Sequence, residues 1–263
     1  MSESINSADD PWLQLDAELD AWALERHPAT FWWRDDDAVQ PGPKLERLIE
    51  LSSRAGLLLA VIPAKAEKSL ASMLINCPHV HVAQHGYAHI NHAPRGQGLG
   101  AWELGLHRGE RAVLDDLDEG RKQLSDVFGS GFLPVVVPPW NRIATELLGP
   151  IAKRGYSGVS AFGQAESSDQ HDGLVVANAH CDPIRWKSGA TFAGEFKTIS
   201  QLLTHLESRR AGRTDISEHT GFLTHHIDLD NASWEFCTRL ITAIDRHASA
   251  QWVSPVTVFK ENT

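Results

Sequence analysis

The chain has 263 residues, 42% hydrophobic and 22% charged, with a formal net charge of −10. This describes an ordinary globular protein with room for a large core, and the acidic balance excludes the basic face that a nucleic-acid binder needs. Three scattered cysteines, Cys77, Cys181 and Cys237, with no CxxC pair, exclude a disulfide framework and a thiolate zinc site, and no apolar run approaches the ~20 residues of a membrane span.

MSESINSADD (1–10) is polar and acidic and reads as a loose tail, leaving 11–263 as one domain. It lacks the basic and apolar regions of a secretory leader, so a cytoplasmic protein is expected. PWLQLDAELDAWALERH (11–27) has helical spacing with Pro11 in the first turn. Beyond it, short apolar runs rich in Val, Leu and Phe read as buried strands at 30–33, 57–63, 79–84, 132–138, 156–162, 173–180, 221–226 and 252–259. Amphipathic segments at 43–56, 67–77, about 101–128, 144–155, 196–212 and 233–248 read as helices between them. Strands alternating with helices predict a parallel sheet with right-handed crossovers. At this length the expected α/β fold is a (β/α) barrel of seven to eight parallel strands; no GxGxxG follows the first strand to indicate an open dinucleotide-binding sheet.

Five predicted strands run into polar, chemically capable residues: RDDD (34–37), QHGYAH (84–89), PPWNR (138–142), HCDP (180–183) and THHIDLD (224–230). Barrel active sites lie at the C-terminal ends of the strands, so these segments should meet at one mouth.

Asp35, Asp36 and Asp37 repel one another and would be costly to bury unpaired. A cation relieves them; an exposed helix cap or acidic turn would also accommodate them. His85 and His89, four apart, can reach one ion from a tight turn. Alone, such a pair is more often two loop histidines; beside an acidic triplet it reads as a metal site, with His92 expected to be structural. On the predicted strand Leu223 and His225 share one face, Thr224 and His226 the other. A histidine ending a barrel strand suits general-acid work. Trp140 with Pro139, and Trp186, are candidate walls of a substrate pocket, though a Trp serves equally as core. Arg142 either pairs with a catalytic carboxylate or lies on the surface. Asp182 is a candidate partner for a histidine, and Cys181 reads as a small buried residue.

Taken in order, these motifs resemble those of the NodB-type polysaccharide deacetylases, a carbohydrate esterase family, over roughly residues 30–228. The resemblance implies a (β/α) barrel, a divalent metal, usually zinc, and removal of acetyl groups from N-acetylated sugars. RDDDA (34–38) resembles the motif T-F-D-D-G, making Asp36 the general base and Asp37 a metal ligand; a register one residue earlier would pair Asp35 with Asp36. His85 and His89 match H-[ST]-x-x-H as metal ligands, with Gly86 at the Ser/Thr position. VPPW (137–140) resembles R-P-P-[YFW], with Val137 replacing the Arg that orients the base; Arg142 or Arg34 would have to substitute. DPIRW (182–186) supplies the Asp and Trp of the fourth motif, and Leu223 and His225 the L-x-H of the fifth. The implied reaction has Asp36 deprotonating water, a backbone N–H near Trp140 stabilising the oxyanion, and His225 protonating the leaving amine with Asp182 as its partner.

The substrate is accordingly a saccharide or small molecule, with no nucleic-acid or membrane partner. Two other readings stand beside this one. One is a metal-dependent hydrolase of a small amide or cyclic ureide. The other is a non-catalytic carbohydrate-binding relative, which Val137 allows and the retention of Asp36 and His225 opposes.

Overall fold

Asp10 and Pro11 start the first helix, α1 (Pro11–Trp22): the Asp10 carboxylate accepts the Trp12 N–H at 2.9 Å, and Trp12, Leu15, Leu19 and Trp22 turn one stripe inward. The computed structural model describes residues 10–25, 27–165, 171–187 and 189–260; of the expected tail, 1–9 lie outside these. The long strand β1 (Ala29–Ala38) is the centre of the sheet. On one side follow β2 (Leu57–Val61), β3 (Val80–His85), β4 (Phe132–Val137), β5 (Gly158–Val159) and β6 (Val175–Val176), all parallel. A short antiparallel pair, β7 (Ile184–Arg185) and β8 (Thr191–Phe192), precedes β9 (Thr220–Thr224), which lies parallel to β1 on its other edge. β10 (Ala250–Trp252) pairs with the first residues of β1. The helices α2 (Pro43–Leu51), α3 (Lys68–Leu74), α4 (Glu110–Phe128), α5 (Leu148–Lys153), α6 (Glu195–Arg210) and α7 (Asn231–Arg246) connect the strands, and α8 (Pro255–Val258) follows β10. This is the expected parallel α/β barrel-type sheet. Among the described residues no helix is long and apolar enough to cross a membrane.

Strand alternation divides β1 between two cores. Phe31 and Trp33 join the outer core beneath the helices, with Leu57, Leu59, Val61 and Leu240. Trp32 points into the ring, against Leu58, Ala60, Ala83, Val135 and Val137. α8 closes the ring at the start of the strands, where Phe259 meets Trp32 edge-on with ring centroids 5.5 Å apart.

The ring closes between β6 and β9. Past β6, the Ala177 and Ala179 N–H groups bond Val159 and Ala161. On the opposite edge, His180 N–H reaches the Gly221 carbonyl at 2.7 Å and Leu223 N–H reaches that of Cys181 at 2.8 Å, a single bridge between Cys181 and Phe222. A side chain completes this seam: Gly221 N–H donates to His180 Nδ1 at 3.0 Å. The strands come so near that a Cβ on Gly221 would sit 2.4 Å from the Asn178 oxygen and 2.7 Å from Ala179 Cα.

Three expectations differ from what is observed. Residues 252–259 are not one strand: Pro255 has no N–H for a ladder, and Ser254 Oγ accepts the Thr257 N–H to start α8. The helix expected from Ala101 begins only at Glu110, because Gly109, at φ 83°, breaks the chain there. The strands expected over 156–162 and 173–180 shorten to two residues each as the ring narrows to irregular pairing.

The seam also carries a buried polar group. His180 and His205 stack with centroids 3.4 Å apart, and both Nε2 atoms face Glu218 Oε1, at 3.3 and 3.6 Å. Burial, helped by His205 and Arg209, lowers the His180 pKa to about 4 despite the pull of Glu218. Burial would raise Glu218, but the two histidines bring it down to about 2. Both folded-state values lie below their unfolded ones, so the stabilisation is full above pH 6.5 and is lost on acidification. The melting temperature should fall as pH drops from 6.5 to 4 and again from 4.5 to 2, and His180→Gln should flatten the first window in a pH series of thermal melts. Gly221→Ala should cost about 1–3 kcal/mol by overpacking the seam, read from urea unfolding.

Candidate metal centre

The end of β1 sends its three carboxylates in three directions. Alternation puts Arg34 and Asp36 inside the ring with Trp32, and Asp35 outside with Trp33. The β1–β2 register breaks between Asp35 and Ala38, and Asp37 takes the left-handed conformation at φ 70°. A bulge of this kind re-aims a side chain at a barrel rim, and it turns Asp37 toward the end of β3.

There Asp37 Oδ1 lies 3.1 Å from His85 Nε2 and 3.2 Å from His89 Nε2. His85 Nδ1 is 3.0 Å from the Val137 carbonyl, which only accepts, so Nδ1 carries the ring proton and Nε2 presents a lone pair. Asp37 Oδ1 is itself buried without a conventional hydrogen bond. Zinc bonds of about 2.0–2.1 Å in a tetrahedron place ligand atoms roughly 3.3 Å apart, so this trio fits the donor set of a divalent cation. In the protein alone, burial opposes the Asp37 charge, but the close approach of His85 and the charges of His85, His225 and His89 keep its carboxyl below the usual range. Burial opposes a proton on His85, yet Asp37 and Asp36 raise it. His89 is lowered by burial and by His85.

Asp36 is gripped from its own strand. Arg34 Nε is 3.0 Å from Asp36 Oδ1, and Nη2 donates to Oδ2 at 3.1 Å, a bidentate pair buried on both sides. The remaining guanidinium protons go to the Ser160 carbonyl and hydroxyl, the Ala161 carbonyl and Asn141 Oδ1. Of the two arginines that could substitute for the one missing at Val137, Arg34 therefore meets the carboxylate. Arg142 points elsewhere: it donates to the Leu99 carbonyl at 2.8 Å and lies over Trp102. Asp35 accepts from Thr224 Oγ1 at 2.6 Å and the His226 N–H at 2.9 Å, with His226 Nδ1 beside its other oxygen. That geometry favours the Asp36/Asp37 register over Asp35/Asp36.

His225 follows β9, with Nε2 3.9 Å from Asp36 Oδ2. Trp186 packs edge-on against its ring, centroids 4.6 Å apart. Asp182 does not reach His225; it accepts the Ile184 N–H at 2.8 Å and the Trp186 Nε1–H at 2.9 Å, holding the Trp186 ring instead. Trp140 packs against His89 with ring centroids 4.3 Å apart and planes tilted by 58°, and Pro139 is buried. Trp140 and Trp186 are half-exposed at the mouth. The fourth-strand turn is sharp, with Trp140 and Asn141 both left-handed at φ 55° and 56°. His92 lies outside the centre; its N–H bonds the Trp102 carbonyl.

Two residues, the partly buried Asn141 and the buried Glu103, were not singled out from the sequence. Asn141 links the Arg34 guanidinium to the Trp140 turn. Glu103 accepts backbone N–H groups of the histidine loop from Tyr87 and Ala88. The side chain after PPW was an available signal for Asn141; a lone Glu in AWELG carries none.

The His180–His205–Glu218 group also brings three metal-type ligands together, but its donors do not fit an ion. His180 Nδ1 accepts from Gly221, so its proton is on Nε2, the very atom that would have to ligate. His85 has the opposite arrangement.

Comparison with solved structures places this geometry in a known fold. A Mycobacterium smegmatis protein assigned as a polysaccharide deacetylase superposes with a TM-score of 0.59 at 15% identity, over 82% of this chain and 75% of that one. The catalytic domain of a peptidoglycan N-acetylglucosamine deacetylase from Eubacterium rectale gives 0.54 at 12% identity, over 88% and 91%. A variant of the Bacillus subtilis peptidoglycan deacetylase PdaC gives 0.51 at 15%, over 88% and 90%. No protein-family model matches the sequence, and no curated protein is similar to it. The chain has the NodB-type polysaccharide deacetylase fold, reached at very low sequence identity.

Removing one member of a buried ion pair strands the other. Arg34→Met should therefore cost about 3–5 kcal/mol of unfolding free energy. Arg34→Met combined with Asp36→Leu should recover part of that loss in the same urea titration.

Proposed function

We propose that the protein is a metal-dependent deacetylase of an N-acetylated sugar or saccharide. The observation that carries the reading is the separation of roles at one mouth. Asp37, His85 and His89 form a ligand set, while Asp36 is withdrawn from it by Arg34 and lies within 3.9 Å of His225. The fold shared with polysaccharide and peptidoglycan deacetylases, and the two half-exposed tryptophans at the mouth, support a saccharide.

A divalent ion, zinc by the chemistry of two imidazoles and a carboxylate, would supply Lewis acidity for the acyl carbonyl and acidify water. Asp36, aligned by the guanidinium, accepts a proton from the attacking water. The backbone N–H of Trp140 is the donor we assign to the developing oxyanion, a contribution of ~3 kcal/mol for such groups. His225 delivers a proton to the leaving nitrogen as the C–N bond breaks, giving acetate and a free amine. Trp186, held by Asp182, fixes the His225 ring and flanks the substrate with Trp140 and Pro139.

Acetate release from N-acetylated chito-oligomers, N-acetyl monosaccharides and small amides, with zinc-loaded and chelated protein, tests the proposal. Zinc-dependent turnover of the sugars is expected. Asp36→Asn should lower kcat by about 10²–10⁴-fold while binding one zinc per chain; Asp37→Ala and His85→Ala should lose the metal. Turnover confined to small amides would overturn the saccharide assignment, and tight zinc binding by His85→Ala would overturn the ligand set.

A further inference from the structure

We propose that Glu103 is a positioning residue for the metal ligands, an internal anion that holds the His85–His89 loop in its ligating shape. The inference rests on the metal-centre reading above. The loop has two left-handed residues, Gly86 and His89, at φ 55° and 56°; glycine takes that conformation freely, a histidine uncommonly. Gly86 N–H bonds the Val137 carbonyl, and the Gly86 and Tyr87 carbonyls accept from Gln84 Nε2 and Ala64 N–H, but the N–H groups after Gly86 converge on one carboxylate. Glu103 is 1% exposed, and its Oε1 accepts the Ala88 N–H at 2.8 Å and the Ile90 N–H at 3.4 Å, while Oε2 accepts that of Tyr87 at 3.2 Å. Successive N–H groups turned to one side form a nest for an anion, and the chain fills the nest with its own side chain.

Two further observations support the assignment. A Cβ on Gly86 would lie 2.0 Å from Glu103 Oε2 and 2.6 Å from Pro139 Cγ. Glycine between the histidine and the nest is therefore the counterpart of the glutamate, and the two departures from ordinary loop chemistry belong together. The Glu103 backbone is anchored on both sides. Asn91 Oδ1 accepts the Trp102 N–H at 3.0 Å, His92 N–H reaches the Trp102 carbonyl at 2.7 Å, and Leu104 bridges to Ile143, whose neighbour Ala144 bonds the Leu104 carbonyl. The segment 102–104 thus runs between the histidine loop and the chain that follows the Trp140 turn. It also gives Asn91 and His92, the end of the histidine-rich stretch, a role in holding Glu103 and none in ligation. The negative charge beside the cation position favours the bound ion as well.

The test compares wild type with Glu103→Gln, which keeps the volume but turns an amide N–H toward the nest, and with Glu103→Ala. Zinc affinity is read by competition with a chromophoric chelator, and amide hydrogen exchange over residues 86–90 is read in the metal-free protein. Zinc affinity is expected to fall about 10- to 100-fold in Glu103→Gln, in the range for loss of an outer partner of a metal ligand, with stoichiometry still one. Protection at Tyr87, Ala88 and Ile90 should be lost in the same variant without metal. Wild-type zinc affinity in Glu103→Gln would overturn the proposal, as would unchanged protection. Loss of the zinc equivalent itself would make Glu103 a ligand instead, which also overturns it. Should the wild type bind no zinc, the metal-centre reading falls, while the exchange measurement still decides whether Glu103 holds the loop. Glu103→Gln carries the result if Glu103→Ala fails to fold.

Discussion

Three consecutive carboxylates at the end of a buried strand cannot share one environment. The structure depends on giving each its own compensation. Asp35 is turned outward to Thr224 and His226, which tie β9 and the chain after it to β1. Asp36 is turned inward to Arg34. Asp37 is swung by the bulge toward His85 and His89. Like charges so close disfavour one another's ionisation, so the separation of partners is also what lets neighbouring aspartates do different chemistry. The first holds the scaffold; in the proposed reaction the second takes a proton and the third faces a cation.

The compensating charges come from unexpected places. Arg34 is two residues before the carboxylate it holds, so base and guanidinium ride on one strand and cannot drift apart by movement between elements. The same guanidinium reaches Ser160 at the end of β5 and Asn141 in the turn after β4, knitting strand ends on the far side of the mouth to the base. With both sides buried, neither group can be lost singly without stranding the other. Val137, where an arginine would stand by motif, is left free to pack inside the ring.

Much of this was legible in the sequence. Strand–helix alternation and polar residues at strand ends define the barrel and its mouth, because burial on both faces leaves parallel strands as continuous apolar runs. The histidine pair and the acidic triplet were equally visible. Which aspartate plays which part came only from the resemblance, with a register one residue earlier left open, because it turns on a backbone break at Asp37 that no pattern of residue types encodes. Glu103 was invisible for a related reason: its partners are main-chain N–H groups, which every residue carries. Asp182 was read as a candidate partner for a histidine and Arg142 as either a carboxylate partner or a surface residue; Asp182 hydrogen-bonds Trp186 while the charge of His225 acts on it, and Arg142 bonds the Leu99 carbonyl. The last apolar run misled because Pro255 turns strand-like composition into a helix start.

The seam between β6 and β9 differs in kind from the rest of the ring. β9 pairs with β1 over five residues, β2 pairs with β3 over five, and β1 pairs with β2 on both sides of the break between Asp35 and Ala38. Asp36, Asp37, His85 and the base of His225 therefore sit on one stiff plate. The seam, with a single bridge and an imidazole in place of a ladder bond, lies at the plate's edge. The ring's sparsest main-chain pairing therefore falls there, apart from the ladders that carry Asp36, Asp37 and His85.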